Sequence, residues 1–161
     1  MNIEPLVAAI QSLNAEDAFR PRLSLEQWRL VAPFLARDEI RSGDLLARQG
    51  DGDRTMFLLE QGSLQVFASA APAAAGAAPV AQRIAILRAG SVAGEPGLFT
   101  DGPRMANVEA MTPAVVWALR GPRLDELSQR QPLLAYEILR AAGAVMAARM
   151  RANVLRQVPF S

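Results

Sequence analysis

The stretch that decides the fold runs from Gly90 to Val108, GSVAGEPGLFTDGPRMANV. A Gly-Glu pair, Gly94-Glu95, is followed nine residues after the Glu by Arg104, which Pro103 precedes, and Ala106 stands two residues further on. Between them lie a short apolar run, Pro96 to Phe99, and a turn-rich segment, Thr100-Asp101-Gly102-Pro103. A single helical turn starting at Pro96 would point free backbone N–H groups out of its N-terminus, where an anion can sit. Proline is tolerated there, because its missing donor matters least in the first turn. Arg104 then returns toward the same point with a planar guanidinium, the fork that pairs with phosphate in bidentate fashion. Glu95 is an acceptor-only carboxylate at the same helix start, suited to a sugar hydroxyl and stabilised there by the helix dipole. A phosphate and a hydroxyl held side by side describe a nucleotide.

Glycine-marked turns and short apolar segments flank the stretch: Gly43-Asp44, Gln49-Gly50-Asp51, Met56-Phe57-Leu58-Leu59, Gly62-Ser63-Leu64-Gln65-Val66 and Leu87-Arg88-Ala89-Gly90. In that order, and with Gly-Glu followed by Pro-Arg-x-Ala, they resemble cyclic-nucleotide-binding domains of the catabolite-activator type. The Gly-Glu-x-Gly-Leu-Phe form looks like a branch of bacterial regulatory domains, some standing alone and some attached to sulfate-permease-type transporters. The resemblance covers about residues 25 to 157. It implies that Glu95 accepts from the ribose 2′-hydroxyl and that Arg104 pairs with the cyclic phosphate. It implies that the amide of Gly97 and an amide near Ala106 donate to the same phosphate. Leu98 and the strand around Ile84 and Ile86 would give apolar contact to sugar and base. The ligand-binding set is therefore Gly94, Glu95, Gly97, Leu98, Arg104, Met105 and Ala106. Three positions depart from the family pattern: Ala93, where a bulky residue is usual, Pro96-Gly97 in place of Leu-Ala or Met-Ala, and Met105 in place of a small or hydroxylated residue.

Composition excludes several chemistries. The chain has 161 residues, of which 51% are apolar and 20% charged, the profile of one globular domain with its own core. The formal net charge of +1 exerts no global pull toward nucleic acid or an anionic membrane. No apolar run reaches the roughly 18 residues of a membrane span, and no basic residues precede the apolar part of the N-terminus, so cytoplasm is the expected compartment. There is no His and no Cys, and all 17 basic residues are Arg. The usual neutral-pH base, the imidazole and thiolate metal ligands and the Schiff-base amine are therefore missing. An enzyme is not expected, nor a metal. Gly50-Asp51-Gly52-Asp53 reads as a solvated turn, since the calcium loop's terminal Glu is absent.

The periodicity places the elements. Ile3 to Leu13 has the spacing of an amphipathic helix. Ser24, with Gln27 three residues on, opens a second helix expected to run to Leu35, with Trp28 and Phe34 as core. From Arg37 the pattern becomes short apolar bursts, with strands expected over 38–41, 44–49, 55–60, 63–69, 82–88, 105–111 and 113–119. Residues 68–81, rich in Ala and Pro, read as an extended loop. Pro122 opens a short helix to about Gln129, with Leu124 and Leu127 inward. Pro132 precedes a long helix, Leu133 to about Gln157. The expected fold is mainly β with flanking α: an antiparallel, jelly-roll-like β-sandwich in one domain, 1–161. N-terminal helices occupy 3–35, the β-roll 37–119 and the C-terminal helices 122–157, with a short phosphate-binding-cassette helix inside the roll.

The long helix carries the partner expectations. Leu133, Leu134, Ile138 and Leu139 are expected to dock on the domain. Leu139, Gly143, Met146, Met150 and Asn153 step by four and three, a stripe for a twin helix. Arg149 and Arg151 must point outward or find acids. A DNA-binding relative would carry a helix-turn-helix after this helix, and too few residues follow for one, so DNA contact is not expected. Two functions remain. In one, the domain senses a cyclic nucleotide, cyclic AMP being favoured, and moves its C-terminal helix to signal to an effector protein or through a homodimer. In the other, the same fold is a ligand-free interaction or dimerisation module.

Overall fold

The computed structural model describes residues 1–70, 76–78 and 80–157. The chain opens with α1 (Glu4–Ser12) and α2 (Leu25–Val31). Ser24 caps α2: its hydroxyl accepts from the Gln27 amide, and the Gln27 side chain accepts in return from the Ser24 amide. This capping box satisfies donors that a helix start leaves open. The helix expected to reach Leu35 stops at Val31, and Ala32–Phe34 form a 3-10 turn. Pro33 accounts for the change, having no amide hydrogen to extend the ladder. Trp28 and Phe34 are buried in the core.

Among the described residues eight strands follow: β1 (Ala36–Ile40), β2 (Leu45–Ala47), β3 (Thr55–Gln61), β4 (Ser63–Ala70), β5 (Val80–Arg88), β6 (Val92–Ala93), β7 (Asn107–Ala110) and β8 (Ala114–Arg120). They pair antiparallel in two four-stranded sheets, ordered β1-β8-β3-β6 and β2-β7-β4-β5. The mainly-β sandwich with flanking helices is thus the observed architecture. β6 is an addition to the expected strands, because two residues are too few to show a period. The expected loop at 68–81 is shorter than its composition suggested, since Ala68, Ser69 and Ala70 pair with Gln82, Ala81 and Val80. The centre of that loop, 71–75 and 79, lies outside the described residues.

β3 and β8 set the layering. Both carry apolar residues at nearly every position, because each of their faces is covered. Met56, Leu58, Trp117 and Leu119 face the helices, while Phe57, Leu59, Val116 and Ala118 face the second sheet. The helical layer is completed by α3 (Gly121–Arg130) and α4 (Pro132–Gln157).

Along α4 the buried residues are Leu134, Ala135, Ile138, Ala141, Ala142 and Val145. Leu133, expected to dock, is 79% exposed instead. It stands one residue off the buried stripe, and a step of one turns a side chain by more than a quarter of the helix circumference. Farther along, Met150, Val154 and Leu155 are exposed.

Candidate functional site

The cassette begins where β6 ends. Gly94 takes φ +77, and its carbonyl accepts from the Gly97 amide at 3.1 Å, closing a 3-10 turn over Glu95–Leu98. A side chain at Gly94 would collide with the Arg104 guanidinium and the Thr55 carbonyl, so the residue must be glycine for space as well as for conformation. The Gly97 amide, expected to serve a phosphate, is therefore used within the turn in this structure. Leu98 is buried in the core beneath the helices. Phe99 lies over α4, and a Cβ added to Gly143 would stand 3.8 Å from its ring.

Thr100 to Pro103 is exposed, and Arg104 then returns beside the turn. Its amide donates to the Asp51 carbonyl at 2.7 Å, and its own carbonyl accepts from the Gly50 amide at 2.8 Å. The Gly50-Asp51 turn thus holds the backbone of Arg104 in place. Arg54 pins the other side, with Nε 3.3 Å from the Gly97 carbonyl and 3.2 Å from Asp101 Oδ1.

Arg104 is no surface arginine; it is 8% exposed. Nη1 donates to the Gly94 carbonyl at 3.1 Å, and Nη2 to the Thr55 carbonyl at 2.5 Å and to Asp53 Oδ2 at 3.3 Å. The guanidinium also stands 5.9 Å from the centre of the Phe57 ring, a cation–π distance. Nε is buried and has no hydrogen-bond partner among the described residues. A guanidinium offers five N–H donors, and a buried one left without an acceptor is costly. Asp53, Thr55 and Phe57 also line an open cavity of about 610 Å³ with Ile40, Arg48 and Arg120, but Glu95 is not among its walls.

Glu95 is 5% exposed and faces the long helix, where Arg149 Nη1 donates to Oε1 at 2.9 Å. The structure therefore brings Gly94, Gly97 and Arg104 into contact with one another, and joins Glu95 to α4. Met105 points outward, 71% exposed, and Ala106 is half-buried.

The strand around Ile84 and Ile86 corrects the expected apolar wall. Both isoleucines are about half exposed, at 48% and 50%. Ala85 and Leu87 turn inward instead, opposite Val66 and Leu64. Asp53, Thr55, Arg54, Asp17 and Arg149 were not in the expected site. For Arg149 there was a signal: an Arg among apolar residues on a packed helix needs an acid. Among the described residues no cluster of three or more His, Cys, Asp or Glu is arranged to hold a metal, and no helix is long and apolar enough to cross a membrane.

Comparison with known proteins agrees with the fold. Residues 37–131 match the cyclic nucleotide-binding domain. No curated protein matches the chain. Among solved structures, a cyclic nucleotide-binding domain from Methylobacillus flagellatus superposes with a TM-score of 0.80 at 20% identity, covering 99% of this chain and 85% of that one. The catabolite activator protein of Thermus thermophilus has a TM-score of 0.69 at 25% identity and covers 84% of this chain, which spans 59% of that protein's length. The N-terminal domain of a transcriptional regulator from Streptomyces coelicolor gives 0.60 at 25% identity, with 98% of this chain and 94% of that one covered.

Proposed function

Since the chain belongs to the cyclic nucleotide-binding domain family, a family of regulatory domains, we propose that it binds cyclic AMP at the Glu95–Arg104 cassette and signals by moving α4. One observation carries this reading: Arg104 is buried beside Gly94 and Gly97 with its Nε lacking an acceptor. A cyclic phosphate would supply that acceptor and the matching charge. In binding, the phosphate takes over donors that Asp53 now shares, and Glu95 accepts from the ribose 2′-hydroxyl. Phe99 rests on α4 near Gly143, so a shift of the cassette is felt by the long helix. On this reading the nucleotide is bound and released without being hydrolysed.

Equilibrium dialysis against cyclic AMP, followed by chromatography of the bound fraction, tests this. Saturable uptake of intact nucleotide is expected. Absence of uptake, or recovery of the hydrolysed monophosphate, contradicts it.

A second reading rests on a different surface. Met150, Val154 and Leu155 are exposed along the last turns of α4. Apolar groups so placed suit a second copy of the same helix. On that reading the domain is a dimerisation or effector-binding module that needs no ligand, and a dimer would form equally with and without nucleotide.

A further inference from the structure

The open cavity of about 610 Å³ between β2 and the first sheet carries opposite charges at its two ends. One wall is formed by β1, β8 and β3. On it Asp38 stands opposite Val116, and Arg120 stands opposite Thr55, four positions farther along β8. The other wall is β2. The Gly43 amide donates to the Ala110 carbonyl at 2.8 Å, beside the turn into β8, which puts Asp44 at the Asp38 end. β2 then runs down β7, Leu45 beside Glu109 and Ala47 beside Val108, and so carries Arg48 toward the Arg120 end. Each wall thus has an acid at one end and an arginine at the other. Among the described residues none of Asp38, Arg48 and Arg120 has an ion-pair partner. Asp53, the remaining acid of the lining, is already held by the Thr55 hydroxyl at 2.8 Å and by Arg104 Nη2 at 3.3 Å. Between the two ends Ile40 and Phe57, both buried, make an apolar floor.

Small molecules bind in cavities of roughly 300–1,000 Å³ with apolar walls and a few placed polar groups. Here the polar groups call for a ligand that is cationic at one end and anionic at the other. Four residues of strand span about 13 Å at roughly 3.3 Å per residue. An extended tripeptide reaches about 10 Å, and the charged side chains at both ends close the difference. We propose that this cleft is a second binding site, separate from the cassette, for a short apolar peptide with free termini. Its ammonium meets Asp38 and Asp44. Its terminal carboxylate meets Arg48 and Arg120, whose planar forks match a carboxylate. Its middle side chain lies over Ile40 and Phe57. The site needs no nucleotide at Arg104.

The two termini can be removed one at a time, which tests each end of the cleft separately. The probe is the tripeptide Ala-Leu-Ala, titrated into the full chain labelled with nitrogen-15 and followed by amide chemical shifts. The same peptide is used N-acetylated and, separately, C-amidated. The free peptide is expected to give saturable shifts in β1, β2 and the start of β3. Each cap is expected to weaken binding by up to about fivefold, the size of an exposed ion pair. Arg120→Gln is expected to narrow the gap between the free and amidated peptides and to leave the gap between the free and acetylated ones unchanged; Asp38→Asn does the reverse. The amide spectrum of each variant reports its fold. Absence of a saturable shift, shifts confined to another surface, or equal binding of the three peptides by the wild type overturns the proposal. So do variants that weaken all three peptides alike. Should a variant not fold, the three peptides on the wild type decide the matter by themselves.

Discussion

Arg104 Nη1 donates to the Gly94 carbonyl across 3.1 Å, so the far end of the cassette closes back onto the residue that precedes Glu95. The contact needs both the left-handed backbone of Gly94 and the space left by its missing side chain. It ties the two ends of the segment from Gly94 to Arg104 into one unit, which the Gly50-Asp51 turn then fixes from behind.

Gly94→Ala is expected to destabilise the domain by about 1–3 kcal/mol, the cost of a non-glycine residue at this backbone conformation with a steric contact added. At roughly 2–4 °C per kcal/mol for a domain of this size, the thermal midpoint falls by several degrees. An unchanged midpoint would show that the turn can relax away from Arg104.

On the proposed reading, Met105 carries the prediction about ligand selectivity. It is 71% exposed and carries only a thioether, a weak acceptor with no donor. A hydroxyl at this position is what the family resemblance associates with guanine. Cyclic AMP is therefore expected to displace cyclic GMP in competition, and Met105→Thr to narrow the difference. Cyclic GMP bound more tightly by the wild type would reverse the assignment.

The end of α4 gives a prediction about assembly. Met150 is 67% exposed, with Val154 and Leu155 beside it. The wild type is expected to form a homodimer in light scattering and Met150→Glu to remain a monomer. A wild type that is monomeric at high concentration, with and without nucleotide, would leave those residues without a twin.

An acid-dependent contact fixes the start of the same helix. The Glu137 carboxyl is held below its usual value of 4.5, first by the hydrogen bond from Arg140 and then by that from the Arg22 amide. A depressed folded value means that the contact stabilises above the ordinary carboxylate range and is lost as pH falls through the folded value. Denaturant melts of the wild type should therefore lose stability on acidification more steeply than those of Glu137→Gln. Parallel curves for the two proteins would show that the contact contributes nothing.

Much of this was legible in the chain because the deciding signals are local. Gly94, Gly97 and Arg104 lie within one loop, and glycine spacing reports backbone conformations directly. The Ser24–Gln27 capping box is another short-range feature, and it formed as written. What escaped was long-range or lacked contrast. Arg149 meets Glu95 across 54 residues, and no local pattern encodes that meeting. On β5, apolar residues occupy both parities from Ile84 to Leu87, so alternation does not choose a face. Opposite Val66 and Phe67 the register then shifts, leaving Ile84 as an extra residue on β5. Leu133 was misplaced for a similar reason, since Leu133 and Leu134 offer the helix two adjacent faces and packing selects the second.

The phosphate contact itself is tested by isothermal titration of the wild type and Arg104→Ala with cyclic AMP, with the fold of each confirmed by its melt. Saturable binding by the wild type is expected, with affinity lower by roughly 10- to 100-fold in the variant, the loss of one or more charge-assisted hydrogen bonds. Equal affinities, or a wild type that does not bind, would contradict a phosphate seat at Arg104.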